Sequence, residues 1–272
     1  MIIFSQKEHI AVAINKLKEQ NLTIGLVPTM GALHDGHLEL VKKALVDNDK
    51  VFVSIFVNPT QFDNNDDLKK YPRTLEKDVA LLQTVSKNNI LVYAPTVNDI
   101  YGGNTASQQF DFDGLEFEME GKFRTGHFDG VGTIVKRFFD IVKPHKAYFG
   151  EKDFQQLRLI RGMVKAFFLD VEVVPCPIIR ESDGLAMSSR NLRLSKKERE
   201  IAPQLFAIIS SGQSIERMQK MIEAAGFELD YLATQGDRLL VAATLGEIRL
   251  IDNVPYDNLR TLKKPVELRL ER

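Results

Sequence analysis

The chain has 272 residues, of which 44% are hydrophobic and 27% charged, and its formal net charge is −1. This length allows two domains, or one large α/β domain with an appendage, and the near-neutral charge argues against a nucleic acid as the main partner. The one cysteine, Cys176, excludes a disulfide or a cysteine-based zinc site within one chain and favours a reducing cytoplasm.

Strand-like and helix-like segments alternate through the first two-thirds of the chain. The run V-F-V-S-I-F-V at 51–57 is typical of a strand buried on both faces. In chain order we predict strands at 23–27, 51–57, 90–93, 147–149 and 171–174, with helices at 38–47, 72–87, 131–142 and 154–168. This alternation predicts an α/β fold built on a doubly wound parallel sheet with right-handed crossovers.

Two regions depart from this alternation. Apolar and polar residues alternate at 108–118, which predicts a strand or hairpin beside the main sheet, and the glycines and charges at 120–130 predict a loop. After about residue 180 we predict helices at 196–209 and 215–225 and short strands at 227–232, 238–243 and 247–252. We therefore expect a first domain of residues 1–177 and a smaller C-terminal α+β domain of residues 178–272.

The most informative stretch is 26–40, which reads L-V-P-T-M-G-A-L-H-D-G-H-L-E-L. A strand leads into a turn that carries His34 and His37, so the turn lies at the carboxyl end of a parallel strand, where ligands usually bind. The two imidazoles are three residues apart and can project to one side, while Gly36 permits close approach of a ligand. With the positive end of the helix dipole, this pattern suits the phosphates of a nucleotide.

Four further polar clusters follow strands or lie in loops, at 58–62, 124–128, 150–156 and 187–191. We expect those that follow parallel strands to converge on one crevice with the histidine turn. Lys152 and Arg190 can neutralise phosphate charge, and the serines at 188–189 can donate hydrogen bonds to phosphate oxygens. The neutral amides of Gln61 and Gln156 can hold a small polyhydroxy or carboxylate substrate.

Other classes of site fit less well. Neither a G-x-S-x-G elbow nor a G-x-x-x-x-G-K-[ST] loop occurs, which argues against a serine hydrolase and a P-loop kinase. His34, His37 and His127 could suggest zinc, but no carboxylate or cysteine completes a recognisable ligand set. Structural interpretations stay open for single clusters: a surface turn at 150–153, a helix cap at 188–191 and a solvated loop at Gln61.

Six stretches resemble the pantothenate synthetase (pantoate–β-alanine ligase) family, within the larger group of H-x-G-H nucleotidyl-transferring α/β enzymes. They read P-T-M-G-A-L-H-D-G-H-L at 28–38, S-I-F-V-N-P-T-Q-F at 54–62, Y-P-R-T-L at 71–75, G-H-F-D-G-V at 126–131, F-G-E-K-D-F-Q-Q-L at 149–157 and D-G-L-A-M-S-S-R-N at 183–191. The resemblance implies a Rossmann-like first domain that binds ATP and pantoate, and a C-terminal domain that acts as a lid. The C-terminal third matches only in general character.

The resemblance also implies a reaction. ATP would activate (R)-pantoate as an enzyme-bound pantoyl adenylate with release of pyrophosphate, and β-alanine would then attack to give pantothenate and AMP. Mg²⁺ would accompany ATP and neutralise the leaving pyrophosphate. The family implies a homodimer. No apolar run approaches 18 residues and no leader-like segment follows Lys7 and Glu8, so we expect a cytoplasmic protein with small-molecule substrates and neither membrane nor nucleic acid as a partner.

The same resemblance assigns roles by position. His37 would be the proton donor, and the catalytic group would be completed by His34, Lys152, Ser188, Ser189 and Arg190. ATP would be bound by Met30, Gly31, Ala32, Leu33, His34, Asp35, Gly36, His37, Gly150, Glu151, Lys152, Asp153, Ile179, Met187, Ser188, Ser189 and Arg190. Pantoate and β-alanine would be held by Gln61 and Gln156, with the substrate side lined by Asn58, Tyr71, Arg124 and His127. Asp78 falls where a magnesium-linked aspartate is expected, and the alternative is a solvated helix carboxylate.

Two departures from the family pattern and two competing functions bear on these assignments. Thr125 follows Arg124 where the family often has proline, which predicts a more flexible loop, and only Asp78 represents what can be a run of acids. A nucleotidyltransferase would release an adenylylated product, but Gln61 and Gln156 argue against it. A non-catalytic ATP-binding protein would not need the intact histidines and Lys152.

Overall fold

The structure, a computed structural model, describes residues 1–256 and divides into two compact units. The first comprises Met1–Arg180 and Met187–Ser189, and the second comprises Glu181–Ala186 and the described residues from Arg190 onward. The strands of the first unit are β1 (Ile2–Phe4), β2 (Ile24–Thr29), β3 (Lys50–Ile55), β4 (Ile90–Tyr93), β5 (Lys146–Gly150) and β6 (Glu172–Cys176). Its helices are α1 (Lys7–Glu19), α2 (Asp35–Asp47), α3 (Asn65–Lys70), α4 (Leu75–Val85), α5 (Val97–Tyr101), α6 (Met119–Phe123), α7 (His127–Val142) and α8 (Phe154–Ala166), with 3₁₀ turns at Pro59–Gln61, Leu115–Phe117 and Glu151–Asp153.

The six strands of the first unit form one parallel sheet in the order β1-β4-β3-β2-β5-β6. From β2 the chain first adds β3 and β4 on one side and then β5 and β6 on the other, so the order reverses between β2 and β5. The crevice beyond the carboxyl ends of these two strands is therefore the topological switch point, where ligands of such sheets bind. The predicted doubly wound parallel sheet is confirmed.

Alternate residues of the strands face two separate hydrophobic clusters. Leu26 and its neighbours on one face pack with α1, α7 and α8, whereas Val27 and its neighbours on the other face pack with α2 and α4. Because both faces are covered, the strands read as continuous apolar runs, as the segment at 51–57 does.

The predicted strands and helices of the first unit are confirmed at 23–27, 38–47, 51–57, 72–87, 90–93, 131–142, 147–149, 154–168 and 171–174, with ends shifted by a few residues. The largest shift is at α7, which begins at His127 because the glycines and charges of 120–130 form α6 and the first turn of α7 rather than a loop. The short strand β1 and the helix α1 were not predicted, since β1 has three residues and α1 buries only Ile10 and Ile14.

The prediction of a strand or hairpin at 108–118 is wrong. Its backbone donors bind the side chains of α7 instead of a neighbouring strand: the N–H of Gln108 donates to Thr133 Oγ1 at 2.8 Å, and the N–H of Phe110 donates to Asp129 Oδ1 at 3.0 Å. The apolar members of the alternation, Phe110 and Phe112, stack on each other with ring centroids 5.3 Å apart. The alternation of apolar and polar residues at 108–118 therefore comes from packing against a helix. A two-residue hydrophobic period alone does not show whether the partner of such a segment is a helix or another strand.

The second unit has its own hydrophobic core and a three-stranded antiparallel sheet, β7 (Glu228–Gln235), β8 (Arg238–Leu245) and β9 (Ile248–Pro255). Its helices are α9 (Lys196–Ile201), α10 (Gln204–Ile209) and α11 (Ile215–Ala224), preceded by a 3₁₀ turn at Ser189–Arg193. The single helix predicted at 196–209 is two helices, because Pro203 lacks the N–H that a continuous helix needs. Within residues 1–256, no helix has the length and apolar character needed to span a membrane.

Candidate active site

The turn after β2 presents two histidines at the start of α2. His34 is the N-cap residue with extended backbone, and α2 begins at Asp35. The imidazoles of His34 and His37 lie side by side, with ring centroids 4.0 Å apart. A Cβ at Gly36 would lie 2.9 Å from the His34 ring, so a larger residue there would displace that imidazole. The predicted convergence of the two rings at the positive end of a 13-residue helix is confirmed.

One hydrogen bond determines which nitrogen of His37 carries its proton. The backbone N–H of His34 donates to His37 Nδ1 at 3.3 Å, so in the neutral ring the proton resides on Nε2. Burial holds the pKa of His37 well below its ordinary value of 6.5, and the charges of His34 and Lys152 lower the pKa further. At neutral pH His37 is therefore a neutral hydrogen-bond donor through Nε2.

Asp78, on α4, holds the backbone of this turn. Its Oδ2 accepts the N–H of Ala32 at 3.0 Å and its Oδ1 accepts the N–H of Leu33 at 2.8 Å. The side chain is only 2% exposed, which rules out the solvated helix carboxylate considered as the alternative. Gly31 and Ala32 both have positive φ, 80° and 50°, and a buried carboxylate that binds the next two N–H groups stabilises this conformation.

The residues described do not provide a recognisable metal site. Among residues 1–256 no three histidine, cysteine, aspartate or glutamate side chains gather closely enough to hold a metal ion. Both oxygens of Asp78 already accept backbone N–H groups. This geometry supports an anchoring role for Asp78, and its magnesium role stays a prediction.

Gln61 lies at the end of the 3₁₀ turn that follows β3, and its amide is oriented by protein contacts. Its Oε1 accepts from Asn58 Nδ2 at 3.1 Å, and its Nε2 contacts the sulfur of Met30 at 3.0 Å. Gln61 is 9% exposed and Asn58 is 1% exposed. The donor edge of Gln61 therefore faces the turn after β2, while Asn58 lies behind it.

Arg124 and His127 contact the backbone of Gln61 rather than only lining the site. Arg124 Nη1 lies 3.1 Å from His127 Nε2, and His127 Nδ1 lies 2.8 Å from the carbonyl oxygen of Gln61. Because a guanidinium can only donate, His127 accepts at Nε2 and donates from Nδ1. Arg124 also pairs with the buried Glu120, with 3.5 Å between Nη1 and Oε2.

Adjacent glutamines at the start of α8 have different environments. Gln155 is buried, accepts the N–H of Glu120 at 3.0 Å, and donates to the carbonyls of Leu115 and Glu118 at 2.7 and 3.0 Å. Gln156 is half-buried, and its amide makes no hydrogen bond to the part of the chain that the structure describes. Sequence reasoning selected Gln156 for a ligand and missed that Gln155 holds the segment that leads to Arg124.

The segment at 179–190 continues from the end of β6. The N–H of Met187 donates to the carbonyl of Ile179 at 2.9 Å, and Met187 Cβ would lie 3.4 Å from a side chain at Gly36. The Ser189 and Tyr71 hydroxyls lie 3.0 Å apart, and both side chains are buried. Met187–Ser189 thus belongs to the first unit together with the histidine turn, whereas Arg190 belongs to the second unit.

The remaining predicted residues are placed by the elements that carry them. Gly150 ends β5, beside β2 in the sheet, and Glu151, Lys152 and Asp153 form the 3₁₀ turn that follows. The charge of Lys152 is close enough to lower the pKa of His37. The carboxyl ends of β2 and β5 thus bring the Lys152 ammonium and the His37 imidazole into electrostatic range of each other, and both groups can donate hydrogen bonds to an anion.

The chain is similar to known proteins over nearly all of its length. A family model described as Pantoate-beta-alanine ligase matches residues 2–255. Pantothenate synthetase from Christiangramia forsetii is 46% identical over 95% of this chain and 100% of that protein, and its counterpart from Bdellovibrio bacteriovorus is 49% identical over 87% and 93%.

Solved structures give the same result. Pantothenate synthetase from Thermus thermophilus superposes with a TM-score of 0.86 at 39% identity, covering 94% of this chain and 100% of that chain. Pantoate-beta-alanine ligase from Francisella tularensis, complexed with Beta-gamma ATP and Beta-alanine, superposes with a TM-score of 0.87 at 38% identity, covering 94% and 97%. With the match over residues 2–255, these similarities establish that the chain belongs to the pantoate–β-alanine ligase family.

Proposed function

We propose that this chain condenses pantoate with β-alanine in an ATP-dependent reaction that passes through a pantoyl adenylate. A carboxylate oxygen of pantoate attacks the α-phosphorus of ATP, and the bond to pyrophosphate breaks. The amine of β-alanine then attacks the acyl carbon, loses a proton, and displaces AMP. The observation that carries this proposal is the His34–His37 pair at the start of α2, with rings 4.0 Å apart and His37 Nε2 as the protonated nitrogen, while the charge of Lys152, in the turn after β5, is close enough to lower the pKa of His37.

These residues suit the first step because adenylation requires positioning and charge stabilisation rather than a protein nucleophile. A neutral His37 can donate a hydrogen bond to a phosphate oxygen without giving up its proton, so we interpret its proposed proton-donor role as hydrogen-bond donation. We propose that Lys152, Ser188, Ser189 and Arg190 supply the remaining phosphate contacts.

We propose that pantoate is held by Gln61 and Gln156. The donor edge of Gln61 faces Met30, and the Gln156 amide makes no bond to the described protein groups, so both can bind hydroxyl or carboxylate oxygens. Asn58, Arg124 and His127 contact Gln61, which supports roles in holding it rather than in touching substrate.

Three further assignments are part of the proposal. Mg²⁺ enters bound to the phosphates of ATP, as part of that substrate. The protein acts as a homodimer in the cytoplasm, as the family resemblance implies. The second unit acts as a lid that keeps water from the reactive adenylate.

The experiment is to measure AMP and pantothenate formed from ATP, Mg²⁺ and pantoate, with and without β-alanine. The proposal predicts that AMP and pantothenate appear in equal amounts only when all substrates are present. It also predicts exchange of labelled pyrophosphate into ATP with pantoate alone. AMP retained in the product would indicate a nucleotidyltransferase instead, and ATP binding without turnover would indicate a non-catalytic protein.

A further inference from the structure

We infer that Tyr101 is a positioning residue for pantoate, which acts through Asn58 to orient the amide of Gln61. This inference rests on the proposed function and extends it to a residue of α5, which none of the six sequence stretches includes. Tyr101 is 5% exposed, and its hydroxyl donates to Asn58 Oδ1 at 2.5 Å.

The orientation of Asn58 follows from an atom that can only accept. Asn58 Nδ2 lies 3.1 Å from the carbonyl oxygen of Gly130, and a carbonyl oxygen requires a donor opposite it. The other amide atom of Asn58 is therefore the oxygen, and it receives the Tyr101 hydroxyl. Thr60 Oγ1 lies 3.1 Å from that oxygen and 2.9 Å from the Tyr101 oxygen, so the Thr60 hydroxyl completes the same cluster. Asn58 is 1% exposed, so its amide bonds to these protein groups rather than to solvent.

The orientation of Gln61 follows from that of Asn58. Asn58 Nδ2 also lies 3.1 Å from Gln61, so the Gln61 atom at that contact is Oε1, the acceptor. Gln61 Nε2 then lies on the side away from Asn58, 3.0 Å from the sulfur of Met30, and its N–H groups are the donors proposed to hold pantoate. Tyr101 thus closes a chain of hydrogen bonds whose last member presents donors to pantoate.

The aromatic ring of Tyr101 has separate contacts that a phenylalanine would keep. The Arg137 guanidinium lies 4.6 Å from the ring centroid, and the ring packs against Phe56 at 6.5 Å. The change Tyr101→Phe therefore removes the hydroxyl alone. Tyr93 provides a matched control, because it is buried in the same aromatic cluster and its hydroxyl donates to Asp99, outside the chain of bonds to Gln61.

The test compares wild type, Tyr101→Phe, Tyr93→Phe, Asn58→Ala and the double variant Tyr101→Phe/Asn58→Ala. A net hydrogen bond of ordinary strength predicts that Tyr101→Phe raises KM for pantoate by about 3- to 10-fold. KM for ATP should change less than about twofold, because the lost interaction contributes to the binding of pantoate and not to the binding of ATP. Tyr93→Phe should change neither value. Because Tyr101 acts through Asn58, the double variant should match Asn58→Ala, whereas independent effects would multiply.

A second readout does not depend on turnover. The NMR order parameter of the Gln61 side-chain NH₂ group should fall in Tyr101→Phe and stay at the wild-type value in Tyr93→Phe. An unchanged order parameter together with an unchanged pantoate KM would overturn the inference, and so would multiplicative effects in the double variant. If wild type forms no pantothenate, the proposed function fails, while the order parameter still decides whether Tyr101 orients Gln61.

Discussion

The carboxylate of Asp78 accepts the backbone N–H of Leu33 at 2.8 Å, which ties α4 to the turn that carries His34. Its second oxygen binds the preceding N–H, of Ala32, in a turn that contains two positive φ values. The position of the histidine pair therefore depends on a residue more than forty positions away in the chain.

We expect Asp78→Asn to impair ATP use through this turn. An asparagine can accept with only one of its two side-chain atoms, so one backbone N–H loses its partner, at a cost of about 1–3 kcal/mol in the free energy of unfolding. KM for ATP should rise about tenfold or more, and the Mg²⁺ concentration for half-maximal rate should stay unchanged. Urea unfolding and initial rates at varied ATP and Mg²⁺ provide the measurements.

Asp99→Asn serves as the control, because Asp99 accepts the N–H of Lys7 and the hydroxyl of Tyr93, away from the turn. It should lower stability without changing KM for ATP. A large shift in the Mg²⁺ requirement of Asp78→Asn would instead support magnesium coordination by Asp78.

The depressed pKa of His37 predicts a pH dependence of stability. Burial, with the charges of His34 and Lys152, lowers this pKa below 6.5 in the folded protein, whereas the unfolded chain titrates near 6.5. Below about pH 6.5 the unfolded state thus binds more protons, and stability that is complete above this pH is lost as the pH falls through the folded pKa, by up to about 1.4 kcal/mol per pH unit.

Urea unfolding of wild type and His37→Gln between pH 5 and 7.5 tests this dependence. Glutamine keeps a donor and an acceptor but does not titrate, so the free energy of unfolding of His37→Gln should fall less steeply below pH 6.5. The control is His9→Gln, at an exposed position of α1, which should keep the wild-type slope. Equal slopes in wild type and His37→Gln would contradict the assignment.

The two adjacent glutamines of α8 should respond in opposite ways to alanine substitution. Gln155→Ala leaves an N–H and two carbonyls without their buried partner, so the free energy of unfolding should drop by about 1–3 kcal/mol. Gln156→Ala removes no hydrogen bond to residues 1–256, so its stability should stay within about 0.5 kcal/mol of wild type while KM for pantoate rises. Thermal unfolding and pantoate titrations distinguish them, and an unchanged pantoate KM in Gln156→Ala would remove Gln156 from the site.

Gly130 and Gly162 form a matched pair of helical glycines. A Cβ at Gly130 would lie 2.2 Å from the carbonyl oxygen of Thr60, whereas nothing lies within 4 Å of one at Gly162. Gly130→Ala should therefore destabilise the protein by about 1–3 kcal/mol or more, and should raise KM for pantoate by displacing the turn that carries Gln61. Gly162→Ala should stabilise it by about 0.5–1 kcal/mol. If Gly130→Ala and Gly162→Ala have similar free energies of unfolding, then α7 does not pack tightly against the 3₁₀ turn that carries Gln61.

Much of this site was predictable because parallel strands end at one edge of a sheet. The histidine turn after β2 and the Lys152 turn after β5 were assigned to one crevice from alternation and chain order alone. The segment at 108–118 was not predictable in the same way, since Phe110 and Phe112 alternate as in a strand but pack beside α7.

The sequence by itself determined the parallel α/β sheet, the turn that carries His34 and His37, and the family, because these depend on local periodicity and on motifs of consecutive residues. Only the tertiary structure decided which of the candidate polar side chains form hydrogen bonds to other protein groups. Gln155 bonds to backbone groups of a neighbouring segment, whereas the Gln156 amide bonds to no group of residues 1–256. Asp78 accepts backbone N–H groups of the histidine turn, and Tyr101 is connected to Gln61 by hydrogen bonds through Asn58. The physical reason is that the partner of a polar group is chosen by spatial proximity and burial, and residues that are distant in the chain supply both.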